Sequence, residues 1–377
     1  MTESLDAAHR TWTDAQRQVV EILKQADHPG SPTDWAEGYR WATRLATIAL
    51  EWVVEKNDPT HPVMFLQQDA YKKFIVDNPD VSYHFCVLDD TQVYRLSGNR
   101  GEAPYVGLTF GSDIFHWGQG GGAGGTLAQS NLDDFTIDEK GNFEIVIGGE
   151  QCEGNWIEMV PGIQHLAVRE TFFDKQTQRG AALRMERLGD PPPPPRLTEE
   201  ELAGKLELAS SFMVFVAQTC VAMFAGTANN TNRITGAPGQ AHVDAQEDEV
   251  DTHCSTEMLY MGGRWKITDD QVLVVTIKPP TVEFTYWGLV LVNPWAESYD
   301  YRFARTCTNN GRAARSADGC WRLVIATRDP GVPNWLDTGG RLEGQMLLRW
   351  VLAPNSTQNP ECELVARNDV ARHLGFG

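Results

Sequence analysis

The sequence predicts a mainly β protein of two duplicated jelly-roll or β-sandwich domains, with an N-terminal helical segment and a helix between the domains. Three observations lead there. The chain repeats itself: residues 141–148 read GNFEIVIG and residues 319–326 read GCWRLVIA, each a Gly turn, an aromatic, a charge and a β-branched run. Short β-rich runs broken by Gly, Asn and Asp fill both halves, which is the pattern of antiparallel strands with turns. Five consecutive prolines, 191–195, then stand between the halves as a semi-rigid extended spacer.

The echo continues along the chain. Asn155-Trp156-Ile157-Glu158 answers Asn334-Trp335-Leu336-Asp337, and the run from His165 to Arg169 answers Met346 to Arg349. Upstream, Gln92-Val93 pairs with Gln271-Val272 and Gly107-Leu108 with Gly288-Leu289. A period this long is a duplicated domain, because solenoid repeats are a few tens of residues long. A residue present in both halves is therefore read as holding the common fold, and singular features carry the functional weight.

Taken in order, residues 1–60 are expected to be helical. Ser31 can cap a helix with Pro32 at its first position. Trp35, Tyr39, Ala42, Leu45, Ala49 and Trp52 then recur at helical spacing and should cover a sheet. Residues 61–190 form the first β domain, with strands in YHFCVL, VYRLSG, YVGLTF, FEIVIG and HLAVRETFF. Residues 191–258 hold the proline linker, a helix and an acidic loop. Thr198 and Glu201 make a capping box, and the apolar run after them should lie between the two halves. Residues 259–355 form the second β domain, with strands in VLVVTI, TVEFTYWGLVLV, YDYRFART, CWRLVIAT and GQMLLRWV. Residues 356–377 read as a polar tail.

Composition narrows the function. With 51 acidic against 32 basic residues, the net charge of −19 repels phosphate backbones and anionic headgroups, so neither nucleic acid nor a membrane is the expected partner. The first residues lack a basic region followed by an apolar core, so no secretory signal is read. The longest apolar stretch, 212–226, is too short to span a bilayer and is interrupted by Gln218 and Thr219. Seven scattered cysteines without a CxxC fit reduced thiols in a cytoplasm.

Among the motifs, RDPGVPNWLDTGG at 328–340 is the densest. Asp329-Pro330-Gly331 is turn chemistry. Trp335 and Asp337 recur in the first half and are read as structural, with Trp335 plugging a core. Asp329 has no counterpart there, so it is the candidate base, with Arg328 beside it. The Asp-Thr-Gly at 337–339 occurs once and cannot supply the paired carboxylates of an aspartic protease. GQGGGAGG at 118–125 lacks the Lys-Ser/Thr of a P-loop. It is nevertheless singular, with His116 and Trp117 at its base, and reads as a mobile flap beside a titratable ring and an aromatic platform. The loop at 241–257 carries His242, Asp244, His253, Cys254 and Glu257 at spacings that fit no metal signature, so a solvated loop and no metal site is expected. A G-x-S-x-G elbow is absent.

NPDVSYHFCVLDD, YRLSGNRGEAPYVGLTF, VRETFFD, LTEEELAGKLELA, WKITDDQVLVVTIKPP, NPWAESYDYRFART and, most specifically, RDPGVPNWLDTGG resemble the bacterial proteins carrying domain of unknown function 1214. The resemblance runs in order from about residue 60 to residue 352. It implies tandem β jelly rolls reminiscent of viral capsid folds, and no activity. The glycine tract and the acidic loop look like local departures from that group.

The functional expectation is a soluble enzyme acting on a small polar or aromatic molecule by acid-base chemistry, as a lyase or hydrolase, with no cofactor. Asp329 and His116 are the expected catalytic residues. Trp117, Trp287, Arg302, Arg305 and Arg328 are the expected substrate contacts, drawn from the singular loop and the Trp/Tyr/Arg-rich second half. The rival reading is a non-catalytic ligand-binding or assembly protein, in which tandem jelly rolls form homo-oligomers and the aromatics are core or interface.

Overall fold

The computed structural model describes residues 3–112, 114–115, 125–190, 192–194, 196–236, 257–281, 283–353 and 358–375. Two helices open the chain, α1 (Glu3–Gln25) and α2 (Pro32–Ala49), the latter running into a π-helical turn, Leu50–Glu55. Helix α2 begins as its sequence dictates. The Ser31 hydroxyl accepts from the Asp34 N–H at 3.1 Å, the Asp34 carboxylate accepts from the Ser31 N–H at 2.9 Å, and Pro32 comes next at N1.

The expected stripe is buried at Ala42, Leu45, Ala49 and Trp52, and Trp41 and Ile48 widen it, while Tyr39 stays 47% exposed. Gly38 is the reason. A Cβ at this position would lie 2.7 Å from the Trp295 ring, so α2 lays its glycine on that indole and turns Tyr39 outward. Trp295 also donates to the Asp34 carbonyl at 2.9 Å and stacks on Trp41 at 5.5 Å.

The β strands fall into two sets. The first is β1 (Phe65–Gln68), β2 (Val81–Val87), β3 (Tyr94–Asn99), β4 (Tyr105–Gly111), β5 (Thr126–Asn131), β6 (Asn142–Ile147), β7 (Trp156–Ile157), β8 (His165–Thr171) and β9 (Ala182–Arg187). The second is β10 (Thr235–Gly236), β11 (Met258–Lys266), β12 (Gln271–Ile277), β13 (Tyr286–Val292), β14 (Cys307–Asn309), β15 (Trp321–Ala326), β16 (Trp335–Asp337), β17 (Glu343–Val351) and β18 (Glu361–Ala366). Each set makes a five-stranded and a four-stranded sheet. The orders correspond strand for strand: β1-β2-β8-β4-β5 with β10-β11-β17-β13-β14, and β7-β6-β3-β9 with β16-β15-β12-β18.

Register repeats as well. Arg169 lies between Tyr83 and Gly107 across its sheet, and Arg349 lies between Tyr260 and Gly288. The short parallel pairs Val146↔Trp156 and Val324↔Trp335 also match. The duplication read from the sequence is thus the architecture of the molecule: two β-sandwiches, each closed over its own core.

Alternation fills those cores. In the first sandwich Leu96, Val106, Leu108, Ile145, Leu166 and Val168 point inward, and in the second Leu273, Leu289, Leu291, Leu323, Met346 and Leu348 do so. Helix α3 (Glu199–Gly226) lies between the halves, as expected. Its Phe212, Met213, Val216 and Cys220 join α2, Phe85 and Val87 of the first half and Val290 and Val292 of the second in one cluster. Only half of the anticipated capping box forms, with Thr198 accepting from the Glu201 N–H at 3.2 Å. By length and composition this helix could cross a membrane, correcting the shorter estimate from the apolar run, yet it packs along α1, α2 and both sandwiches.

Two other expectations are overturned. The polar tail contains β18, which pairs along β12, and then α4 (Val370–His373). Of β18 only Val365 is buried, so its sequence alternates too weakly to read as a strand. YDYRFART forms a turn rather than a strand, because Asp300 binds the Arg302 backbone at 3.2 Å and its guanidinium at 2.6 Å, folding the chain back. The glycine tract up to residue 124 and most of the acidic loop lie outside the described residues.

Candidate functional site

The residues singled out from sequence are not gathered together. Asp329 is exposed and accepts from the Gly331 N–H at 2.8 Å, which is its turn role. Arg328 points to Asp269, 3.9 Å away at the surface. Trp287, expected on a substrate, is wholly buried in the second core, edge-on to Trp321 at 5.2 Å. Arg302 pairs with Asp300 on the surface and lies over the Tyr71 and Phe303 rings. Arg305 is exposed, and its carbonyl accepts from the Asp337 N–H at 2.8 Å. His116 and Trp117 lie outside the described residues, as do His242, Asp244, His253 and Cys254. Among the described residues no group of three His, Cys, Asp or Glu is placed to hold a metal. Trp335 is half-buried rather than a core plug, donating its indole N–H to the Ala326 carbonyl at 3.2 Å.

A different residue stands in a cavity. His165, at the start of β8, is 6% exposed and lines a space of about 310 Å³ at the end of the first sandwich. Val87, Leu88, Ile114 and Phe115 form its apolar wall, and Asp89, Asp90 and Gln164 supply polar groups. Phe115 is the described residue immediately before His116, so this cavity sits at the entry to the glycine-rich segment.

The histidine is held on three sides. Its Nδ1 lies 2.8 Å from the Ser112 carbonyl, which can only accept, so the neutral ring carries its proton on Nδ1 and its lone pair on Nε2. Phe85 stacks on one face at 4.9 Å. Gly111, its cross-strand partner, leaves the space it needs: a Cβ there would lie 2.5 Å from the imidazole Cε1. Asp89 is tied to the Thr91 N–H at 2.9 Å and Asp90 to the Gly162 N–H at 2.6 Å, which stiffens the rim.

Sequence reasoning missed His165 because it lay inside the repeat. Register shows why that was misleading. Counting back from the matched arginines, His165 corresponds to Gln345, whose amide donates to the Asn293 carbonyl at 3.1 Å. The strand is common to both halves and the histidine is not. Aligning HLAVR on QMLLR, rather than matching the run as a whole, would have exposed the difference.

Other polar concentrations have saturated partners. Asp80 of the first half accepts from Tyr286 Oη at 2.9 Å, Asn309 Nδ2 at 2.9 Å and Arg312 Nη2 at 3.0 Å of the second. Asp77 receives the Ser298 N–H at 2.8 Å and hydroxyl at 2.6 Å. Lys73, whose ammonium burial pushes below its ordinary value, donates to Ser298 Oγ at 2.9 Å and to the Tyr299 carbonyl at 3.1 Å. Asp80 and the Asp77–Lys73 group are ties between the halves. Glu170 is 1% exposed and lies 2.7 Å from His84 Nε2, but neither residue lines the His165 cavity. A space of about 440 Å³ between α1 and α3 is an open surface groove with Asp14 as its charged group.

The fold is shared with an uncharacterised protein from Burkholderia cenocepacia, at TM-score 0.87 and 28% identity over 96% of this chain and 97% of that one. A structural-genomics target from Vibrio parahaemolyticus gives a TM-score of 0.49 at 12% identity, over 87% of this chain and 97% of the other. No family model matches the chain, and no curated protein matches it. The class defined by fold and site is a tandem β-sandwich protein with a small-molecule-sized cavity at one end of its first sandwich.

Proposed function

We propose that the protein is a soluble cytoplasmic enzyme that takes a small polar or aromatic metabolite into the His165 cavity and acts on it by acid-base chemistry, as a lyase or hydrolase. We place it with the bacterial proteins of domain of unknown function 1214, on motifs such as RDPGVPNWLDTGG at 328–340. The observation that carries the functional reading is one buried histidine, its tautomer fixed by a carbonyl, in the wall of a cavity at the lower end of the ligand-site size range. With its lone pair on Nε2, His165 takes a proton from the ligand and returns it to a leaving group. The Phe115 ring and the aliphatic wall fit an aromatic or short aliphatic body, and Gln164 supplies hydrogen bonds. The six cysteines among the described residues are unpaired thiols, which supports a reducing compartment.

The second reading, a ligand-binding protein without turnover, draws on Asp89 and Asp90 being engaged by backbone N–H groups of the rim, which commits these carboxylates to holding the loops. One experiment separates the two. A metabolite pool is screened by thermal shift on the wild-type protein, and hits are assayed for turnover with His165→Gln, which installs the residue the second half carries at this position. The expected result is unchanged melting and turnover reduced by about two to four orders of magnitude. Stabilising hits without turnover in the wild type would establish the binding reading. Turnover unaffected by the substitution would remove His165 from the chemistry.

A further inference from the structure

The walls of the His165 cavity carry one sign of charge. Asp89 and Asp90 both line it, and no Lys or Arg does so among the described residues. Asp89 Oδ1 accepts from the Thr91 N–H at 2.9 Å and from the Thr91 hydroxyl at 2.7 Å, and Asp90 Oδ2 accepts from the Gly162 N–H at 2.6 Å. Each carboxylate is thus fastened to its loop through one oxygen. The other oxygen, Asp89 Oδ2 or Asp90 Oδ1, has no partner among the described residues, and neither carboxylate is in an ion pair there. Both residues are half-buried, so water screens their charge only in part.

The remaining polar lining is neutral. Gln164 spends its backbone on the strand ends, its N–H on the Gly111 carbonyl and its carbonyl on the Leu88 N–H, both at 2.8 Å, which leaves its side-chain amide to a ligand. Asn57 brings a second amide. An ammonium group has three donors and no acceptor, whereas a carboxylate only accepts. Two uncommitted carboxylate oxygens beside two amide oxygens match the first and repel the second. A bare metal ion fits the far side badly, because Val87, Leu88, Ile114 and Phe115 form an apolar wall there that covers the body of an organic molecule and gives a hard cation no ligand. The net charge of −19 draws cations from solution toward the same place.

We propose that the ligand of this cavity is a small primary amine bound as its ammonium ion, with Asp89 and Asp90 holding the charge and the apolar wall covering a short aromatic or aliphatic body. The proposal rests on the reading of the cavity as the ligand site, and it does not require His165 to act on what is bound.

The test is a thermal-shift titration of the full chain at neutral pH and constant ionic strength. Two matched series serve as probes, benzylamine with benzyl alcohol and benzoate, and butylamine with butanol and butyrate. In at least one series the amine should raise the melting temperature more than its alcohol does, and the carboxylate should give no rise. Asp89→Asn and Asp90→Asn keep the loop bond on the amide oxygen and replace the uncommitted oxygen with an NH2 group. Each should weaken amine binding by about ten- to a hundredfold and leave the alcohol unchanged. His165→Gln should leave the preference for the amine intact. An amine favoured over its alcohol and carboxylate in neither series overturns the proposal, as does unaltered amine affinity in both asparagine variants. If those variants do not fold, the wild-type series decides alone. The acid-base enzyme stands or falls separately. Amine binding in a protein that turns over no amine of the metabolite pool supports the charge preference and removes the enzyme, while His165-dependent turnover of a neutral or acidic compound does the reverse.

Discussion

The two sandwiches share a scaffold and differ in what they put on it. Where the second places Trp265, Trp287, Trp321 and Trp350, all fully buried, the equivalent register positions of the first hold Leu88, Val106, Phe143 and Glu170. At the outer face of the four-stranded sheet the second is apolar, with Val272, Val274 and Val324 covered by Val370 of α4. In the first that face is charged, Arg95 lying 3.5 Å from Glu144 and 3.4 Å from Glu186. The same strands thus serve two ends. The second half is filled with indole and sealed by the chain terminus, while the first keeps polar groups inside, an open end and the singular histidine. Duplication supplied rigidity in one copy and left the other able to carry a site.

The sharpest contrast lies at one position. Trp350→Ala removes a fully buried indole and should cost about 3–5 kcal/mol in a urea titration. At the equivalent place Glu170→Gln keeps the shape but weakens the bonds to His84 and to the Ala181 N–H, and should cost about 1.5–3 kcal/mol. A glutamine variant as stable as the wild type would mean that the His84–Glu170 pair is kept for something other than stability, which would extend the working part of the first half beyond the His165 cavity.

Next come the two glycines that the halves share. Gly107→Ala and Gly288→Ala each drive a Cβ into a tyrosine hydroxyl, so both should destabilise by about 1–3 kcal/mol. The two losses should be similar, because both hydroxyls are tied to distant residues, Tyr286 to Asp80 and Asn78 and Tyr105 to Glu257. A much smaller loss in thermal melts for either variant would show that its tyrosine can shift in spite of those contacts. Asn155→Ala and Asn334→Ala rank below them at about 1–2 kcal/mol, since each asparagine makes the same three backbone bonds, at 2.8 to 3.0 Å. The second should lose about 1 kcal/mol more. Asn334 is left-handed at φ 58°, whereas the first half gives that conformation to Gly154 at φ 94°.

Much of the architecture is legible in the sequence. The repeats at 141–148 and 319–326 locate β6 and β15, and the Asn-Trp echo locates β7 and β16 in matching register. The readings that fail do so for physical reasons. β18 buries one side chain, so its sequence carries almost no alternation. Trp287 reads as a ligand contact because aromatic richness has two causes, and burial alone tells them apart. Asp329 is singular yet satisfied by its own turn, so being unrepeated is not enough. The histidine that does line a cavity is hidden by the rule that repeated segments are structural. That rule holds for strands and for Arg349, and it fails at the residue level, where Gln345 stands for His165.

The smallest expected effect concerns how the far end of each half is fastened. The second half is closed by α4 on valines, an apolar contact without a proton to lose, and the His373–Glu363 pair nearby, 3.5 Å apart at the surface, adds little. The first is joined to the proline segment through His61, whose Nδ1 lies 2.9 Å from Asp58 and whose Nε2 lies 2.9 Å from the Pro192 carbonyl. Both partners accept, so the ring serves both only as the imidazolium. The Asp58 hydrogen bond, and after it the Pro192 carbonyl, accordingly hold its pKa above the ordinary value of 6.5. A pKa raised in the folded state gives stabilisation that is complete below the unfolded value and disappears as pH rises through the folded one. Hydrogen exchange measured between pH 6 and 9, after correction for the intrinsic rate, should therefore quicken at the Asp58, Thr60 and His61 amides and stay constant along β18 and α4. His61→Asn should remove the pH dependence at the first site. A matching change at the second would mean that both halves are fastened by titratable contacts, and the contrast between a sealed copy and one with an open cavity would not extend to their ends.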